Sequence, residues 1–345
     1  MTPVTERELK RQRIIEILDR RQVDAVVLTS ATTLGWYLDG ARTHVGLAAE
    51  PVLAVRVDRS GDEVWLTSNE ASRLIAEELP PNVTVRQRPW YEPLPPPEGW
   101  SESELERELW AARWPLLPAE TARFRQLGSD AAEVLTGVLT AAEPGWTERR
   151  VAAEVARGLV DCGADPLVVL VGGVTRSGLP HPLPTDAEIG ERALVVACAR
   201  RHGLIANLSR LVAFRPLTLA ERALQERILS VEERALDATQ PDAQLSDVLA
   251  AIDQGYRAAG FGAEHWRGHH QGGIAGYAGR DPRATPTTDH RVQIGQAFAW
   301  NPWAPGAKVE DTCLLTPSGM EMLTVDSHWP TVAVGGRLRP DVLVR

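Results

Sequence analysis

Residues 264 to 312 carry the clearest chemical signals in the chain, beginning with the sequence GHHQGG from Gly268 to Gly273. Two adjacent imidazoles beside three glycines are unusual in a protein core, because a buried histidine needs partners for both ring nitrogens and glycine adds nothing to packing. The pattern therefore predicts a cleft in which the backbone comes close to a ligand. His269 and His270 are candidate catalytic residues in that cleft.

Two strands are predicted after this segment. Residues 296–301 and 308–315 are separated by a turn rich in proline and glycine, and the second run alternates polar and apolar side chains at the period of a strand. If the two strands pair, Asn301 and Glu310 face one site. The aromatic residues Trp300, Trp303 and Tyr277 cluster in the same segment, which favours a pocket over an ordinary core.

Length, charge and cysteine content exclude several classes of protein. A chain of 345 residues with 43% hydrophobic residues exceeds the usual size of one domain, so we expect two. A formal net charge of −9 argues against a nucleic-acid partner, because binding the phosphate backbone requires a basic surface. The three cysteines are widely spaced and indicate neither a disulfide framework nor a cysteine-built zinc site. With no apolar leader and no long apolar run, we expect a cytoplasmic protein without a membrane partner.

The first part of the chain reads as an α/β domain. A helix is predicted from about Glu6 to Arg20, followed by a buried strand at 23–29 and further strands at 51–57 and 63–67. The proline-rich run at 89–97 can neither continue a helix nor pair inside a sheet, so it marks a connection. We place the boundary near Leu116, which gives domains 1–115 and 116–345.

The second part mixes long helices with strands. Helices are predicted from 118 to about 142, from Thr147 to about 161, at 219–238 and at 246–259, and strands at 167–171, 193–198 and 204–214. A loop at 180–186 places His181 between two prolines.

Several of these motifs together resemble the pita-bread-fold peptidases, the superfamily of prolidase, Xaa-Pro aminopeptidase, methionine aminopeptidase and creatinase. They are WYLDG at 36–40, EPGWTE at 143–148, and the closing strands from 295 to 312. The resemblance extends over nearly the whole chain. It implies an amino-terminal creatinase-type α/β domain, an α+β pita-bread domain with a curved antiparallel sheet under helices, and a homodimer.

The same resemblance implies a metal site that this sequence departs from. Active members of the superfamily hold two divalent metals with two Asp, one His and two Glu. By position, these ligands correspond to Ala197, Asn207, one of His269 and His270, Asn301 and Glu310. Four carboxylates offset the four positive charges of a metal pair, whereas this set supplies one, and neutral amides are poorer ligands. We therefore expect a degenerate site and no metal cofactor.

Creatinase is the metal-independent relative within this superfamily. Its catalytic histidine resembles His181, one of its carboxylates matches Glu310, and the other falls at Ser209, which is not an acid. A histidine beside Glu310 would be oriented as a general base. The alternative for Glu310 is a structural salt bridge with Arg280 or Lys308.

Three functions remain open from the sequence. The favoured one is a peptidase-like protein without metals that binds a peptide or a small nitrogenous ligand. The others are a metal-independent hydrolase of C–N bonds and a residual mononuclear aminopeptidase or prolidase. In each case the candidate site residues are the catalytic set His181, His269, His270 and Glu310, and the substrate-binding set Asn207, Tyr277, Arg280, Asn301 and Trp303.

Overall fold

The computed structural model describes residues 4–81, 83–92, 94 and 98–345. The chain divides into two compact units, one comprising Met1–Ala119 with His202–Leu204 and the other Glu120–Arg201 with Ile205–Arg345. Part of the proline-rich connection predicted at 89–97, namely residues 93 and 95–97, lies outside the described residues. Within the described ranges, no helix combines the length and the apolar character needed to cross a bilayer.

The first unit is built on a five-stranded mixed sheet with the order β4-β3-β2-β1-β5. Its elements are α1 (Glu6–Arg21), β1 (Ala25–Leu28), α2 (Ala31–Tyr37), β2 (Leu53–Asp58), β3 (Asp62–Thr67), α3 (Ala71–Arg73), β4 (Thr84–Arg88), β5 (Trp100–Ser101) and α4 (Glu106–Arg113). Helix α1 starts at Thr5, which forms a reciprocal capping box with Glu8. Its buried stripe includes Ile14 and Leu18, which follows the predicted helical spacing.

The second unit begins with long helices that cover its sheets. They are α5 (Pro118–Ala141), α6 (Glu148–Asp161), α7 (Leu219–Ala238) and α8 (Leu245–Ala258). The predicted cap of α6 is present, because the Thr147 side chain accepts a hydrogen bond from the Arg150 backbone at 3.1 Å. The Glu148 side chain is buried and accepts from the backbone of Gly173 at 2.9 Å, which ties the helix to the sheet beside it.

The strands of this unit form two four-stranded sheets and two short hairpins. In chain order they are β6 (Asp165–Gly173), β7 (Arg192–Arg201), β8 (Leu204–Ala213), β9 (Gly272–Ala275), β10 (Ala297–Trp300), β11 (Trp303–Ala304), β12 (Ala307–Lys308), β13 (Asp311–Thr316), β14 (Gly319–Met322), β15 (Thr331–Val334), β16 (Arg337–Pro340) and β17 (Leu343–Val344). The sheet orders are β17-β8-β7-β6 and β14-β13-β10-β9.

A bridge between β8 and the start of β13 joins the two four-stranded sheets. The Ser209 backbone donates to the Glu310 carbonyl at 2.9 Å, and the Asn207 backbone donates to the Thr312 hydroxyl at 2.7 Å. This bridge brings together residues that are far apart in sequence, such as Asn207 and Thr312, which are separated by 105 positions.

Candidate functional site: a cationic cavity in the second unit

A cavity of about 890 Å³ opens between strands β6, β7 and β8 and the loop that follows β9. Its volume is within the range of ordinary small-molecule sites. Six of the residues predicted from the sequence line it: His181, Asn207, His270, Arg280, Asn301 and Glu310. Asn301 and Glu310 thus face one site, as the strand pattern predicted, and β10 pairs antiparallel with β13.

Val196, rather than Ala197, is the residue of β7 that faces the cavity. Val196 and Cys198 line it together with their cross-strand partners Leu170 and Val168, whereas Ala197 pairs with Val169 on the opposite face. Successive side chains of a strand point to opposite faces. The sequence-based placement of the first metal-ligand position at Ala197 is therefore wrong by one residue.

Glu310 is held by cations rather than by a histidine. The Arg280 guanidinium forms a hydrogen-bonded ion pair with one carboxylate oxygen, and the Lys308 ammonium lies 3.6 Å from the other. Burial raises the pKa of Glu310, but Lys308 and Arg280 outweigh it and hold that pKa below its usual value. The salt-bridge alternative for Glu310 is thus confirmed, and its carboxylate is already occupied before any ligand binds.

Three imidazoles form a cluster at the cavity, where His181 and His270 belong to the lining and His269 does not. The Nε2 atoms of His181 and His269 lie 3.1 Å apart, and the His269 and His270 rings stack with centroids 4.6 Å apart. Burial, reinforced by Lys308, lowers the pKa of His269 to about 2, and burial with Arg280 lowers that of His270 to about 4. Burial also lowers the pKa of His181. All three rings are therefore neutral at pH 7.

The depressed pKa of His269 predicts that acid destabilises the fold. In the unfolded chain this imidazole binds a proton near pH 6.5, whereas in the folded chain it stays neutral to about pH 2, so stability falls as the pH drops below 6.5. Between pH 7 and pH 5 the linked loss is at most about 2 kcal/mol. We expect His269→Gln to reduce the loss between these pH values by that amount in urea unfolding, whereas the control His328→Gln, whose exposed imidazole pairs with Asp326, should change it much less. An equal loss in both variants would contradict the prediction.

The paired glycines serve the packing of the backbone and not, as the sequence suggested, the approach of a ligand. Gly272 has φ +115°, and a Cβ atom there would lie 2.1 Å from the carbonyl oxygen of Ala299. Gly273 has φ +150°, and its Cβ would lie 2.4 Å from the carbonyl oxygen of Pro282. Both positions require glycine, because the left-handed backbone and the adjacent main chain leave no room for a side chain.

Two predicted binding residues lie outside the lining of this cavity. The Tyr277 hydroxyl is buried and donates to Glu120 on α5 at 2.6 Å. Trp303 belongs to β11, where its backbone N–H donates to the Tyr256 hydroxyl at 2.8 Å and its ring lies 6.3 Å from that of His269. Both aromatic residues pack within the surrounding structure. The sequence pattern favoured a pocket for them over an ordinary core, and they belong to the core instead.

Eleven of the seventeen lining residues were absent from the predicted site, and four of these bear on its chemistry. Val196 and Cys198 come from β7, Arg283 from the loop after β9 and Lys308 from β12. Burial raises the pKa of Cys198 to about 12, so it is an unreactive thiol. Counting outward from the two-residue turn at His202 and Gly203, which both have positive φ, would have identified the inward-facing residues of β7.

A second ion network lies on the opposite face of β13, directly behind the cavity. Asp311 accepts from Arg210 at 2.9 Å, from the Thr324 hydroxyl at 2.6 Å and from Arg339 at 2.7 Å. Arg339 also forms two hydrogen bonds to Glu232, and its pKa is raised because both acids outweigh the effect of burial. These charged side chains are at most 3% exposed. Its two arginines and two acids balance in charge within the protein, and the network has a structural role.

A known protein family and several solved structures are similar to this chain. The sequence matches the model of Metallopeptidase family M24 over residues 122–317. No curated protein matches the chain. Similar solved structures include the prolidase from Pyrococcus horikoshii OT3, with 17% identity over 92% of this chain and 98% of that one and a TM-score of 0.76. The dipeptidase PepE from Mycobacterium ulcerans has 19% identity over 99% and 100% of the two chains and a TM-score of 0.75.

A further similar structure is not named as a peptidase. The N-terminal domain of FACT complex subunit SPT16 from Cicer arietinum has 13% identity over 92% of this chain and 96% of that one, with a TM-score of 0.67. At such identities these likenesses establish the fold alone. They confirm the predicted pita-bread fold with its amino-terminal α/β part, and the proteins that share it are not all named as peptidases.

Proposed function

The chain belongs to metallopeptidase family M24, and from this premise we propose that it binds a peptide or another small ligand in the cavity without metal-dependent hydrolysis. One observation carries the proposal. Glu310 is the one carboxylate among the described residues that line the cavity, and Arg280 and Lys308 already neutralise it.

The donor set of the cavity does not fit the pair of divalent ions that the family implies. The positions that correspond to three of its carboxylates hold Val196, Asn207 and Asn301, of which the first has no donor atom and the others have neutral amides. Divalent ions that are bound by oxygen ligands need several anionic ligands to offset their charge. Here the fixed cations Arg280 and Lys308 would also repel them. We therefore propose that the cavity does not hold a pair of metal ions.

We predict that protein purified without chelator carries less than one divalent metal per chain and does not hydrolyse Xaa-Pro dipeptides, with or without added Mn²⁺. Elemental analysis and a dipeptide turnover assay measure both quantities. As a control, Glu310→Gln should not change the metal content, because no metal depends on that carboxylate. Two metals per chain, or turnover that a chelator abolishes, would overturn the proposal.

A mononuclear site is a second candidate, and the imidazole cluster is the observation that favours it. The ligand atoms of His181, His269 and His270 all lie within 4.8 Å of one another, and neutral imidazoles suit zinc. Against it, the Nδ1 atoms of His269 and His270 are buried without a hydrogen-bond partner, whereas the second nitrogen of a zinc-bound histidine is normally held by an acceptor. Titration with Zn²⁺ decides: stoichiometric binding that His269→Ala abolishes would select this candidate.

A further inference from the structure

We infer that the cavity takes a small aliphatic carboxylate, held by Lys308 and Arg280 where metal-dependent members of the family would hold cations. The inference rests on the proposed function and names the chemical class of its ligand. It follows from three features of the cavity: a surplus of buried positive charge, donor atoms without partners, and an apolar wall.

The surplus charge arises because two buried cations share one carboxylate. The side chains of Lys308 and Arg280 are only 1% and 6% exposed, and both pair with Glu310. Glu310 can offset one of these charges. A buried charge without a counter-ion costs several kcal/mol, on the order of the penalty for breaking a buried ion pair. An anionic ligand beside Lys308 would remove this penalty.

Donor atoms are available for such a ligand. Lys308 lies 3.6 Å from Glu310, which is an ion-pair distance but too long for a hydrogen bond, so its ammonium can donate to a ligand. The Nε–H of Arg280 is buried and has no partner. Hydrogen bonds from these groups to a carboxylate would be charge-assisted and correspondingly strong. Arg283, which is exposed on the lining, extends the positive potential towards solvent.

The facing wall of the cavity is apolar. It is formed by the cross-strand pairs Val168 with Cys198 and Leu170 with Val196, together with the exposed side chain of Leu183. Burying a branched aliphatic group against such a wall is favourable by roughly 25 cal/mol per Å² of apolar surface. A ligand that satisfies both sides therefore has a carboxylate at one end and an aliphatic body.

The same charges exclude the opposite class of ligand. A small nitrogenous cation, one of the ligands expected from the sequence, would meet Arg280, Arg283 and Lys308, and the one carboxylate among the described lining residues is already paired. The positive charge of the site thus favours binding of a carboxylate over binding of a nitrogenous cation.

Three probes of the same shape test the inference: 4-methylpentanoate, 4-methylpentanamide and 3-methylbutylamine, titrated calorimetrically into the full chain at pH 7. We expect the acid to bind about 10- to 100-fold more tightly than the amide, which is the effect of one or two charge-assisted hydrogen bonds. The amine should not bind. Equal affinities of acid and amide, or preferred binding of the amine, would overturn the inference. Inorganic phosphate is a fourth probe, and if it matches the acid the aliphatic part of the inference is wrong.

Variants assign the effect to the named groups. Lys308→Met and Arg280→Gln should each weaken binding of the acid about tenfold or more and leave binding of the amide unchanged. The control Arg257→Gln removes an exposed cation on α8 that pairs with Asp253, and should change neither. If a buried variant does not fold, the exposed Arg283→Gln should still weaken binding of the acid, by about two- to fivefold. Unchanged binding of the acid in every folded variant would overturn the inference.

The results of these binding experiments can be distinguished from the results that test the proposed function. Metal-dependent dipeptide turnover together with selective binding of the acid would reject the proposed function and leave the charge assignment standing. Absence of turnover together with failure of all the probes to bind would reject the inference alone.

Discussion

Replacing Asp311 with Asn is expected to lower the free energy of unfolding by about 3–5 kcal/mol, several times the effect of losing a charge at the surface. The neutral amide fills the same space but leaves Arg210 and Arg339 facing a single acid, Glu232, in a region that water does not reach. Breaking a buried network in this way costs far more than losing a surface pair, because the remaining charge stays buried without a partner.

The measurement is the midpoint of urea unfolding, compared with a matched change on the surface. Asp186 pairs with Arg149, and both side chains are more than half exposed. Asp186→Asn should therefore change the free energy of unfolding by at most about 1 kcal/mol. If the two variants lost the same stability, the network behind β13 would not have the structural role assigned to it.

Gly272→Ala is expected to destabilise the chain by about 3 kcal/mol or more, because it combines a strained left-handed backbone with a clash against the neighbouring strand. The added methyl group would lie 2.1 Å from the Ala299 oxygen and 2.8 Å from the Trp300 Cα atom. Neither is a flexible side chain that can move away, so β9 and β10 would have to separate. The loop that carries His269 would shift with them.

Gly268→Ala is the matched control at the other end of the same segment. Its backbone is not left-handed, and the nearest atom to an added Cβ is the Trp303 ring at 4.0 Å. We expect its thermal unfolding temperature to stay close to that of the unchanged protein, while Gly272→Ala shows a clear decrease. Tolerance of alanine at Gly272 would mean that the close approach of β9 to β10 is not required by the fold.

The fold could be predicted largely from local patterns. The alternating residues around Glu310 and the turn before them were sufficient to pair the strands that place Asn301 and Glu310 at one site, since periodicity and turn chemistry are local properties. Helix α6 was likewise predicted from the cap at Thr147. Helix α2 was not predicted, because its sequence, ATTLGWY at 31–37, has weak helix propensity and its start depends on the Ser30 cap.

The site could be predicted only in part, because the decisive facts are contacts between distant segments. Sequence identified Arg280 and Glu310 separately, and gave their ion pair as one alternative among others. It could not show that Lys308 adds a second cation to the same carboxylate. The glycines were misassigned for a similar reason, since a glycine needed beside another strand and one needed beside a ligand have the same local signature. The error at Ala197 came from a register that one turn determines.

The pairing of Glu310 with Arg280 and Lys308 also bears on evolutionary reversal of the site. On the proposed function, an acid regained at Asn207 or Asn301 alone would meet the surplus cation and form a new salt bridge, which consolidates the present state. A cation lost alone would reduce the compensation of Glu310 before any metal could bind. Each single step thus leads away from a metal centre, and only several simultaneous changes lead back. On the proposed function, such a site would behave as an evolutionary ratchet, because selection acting on one residue at a time could not readily replace protein cations with metal ions.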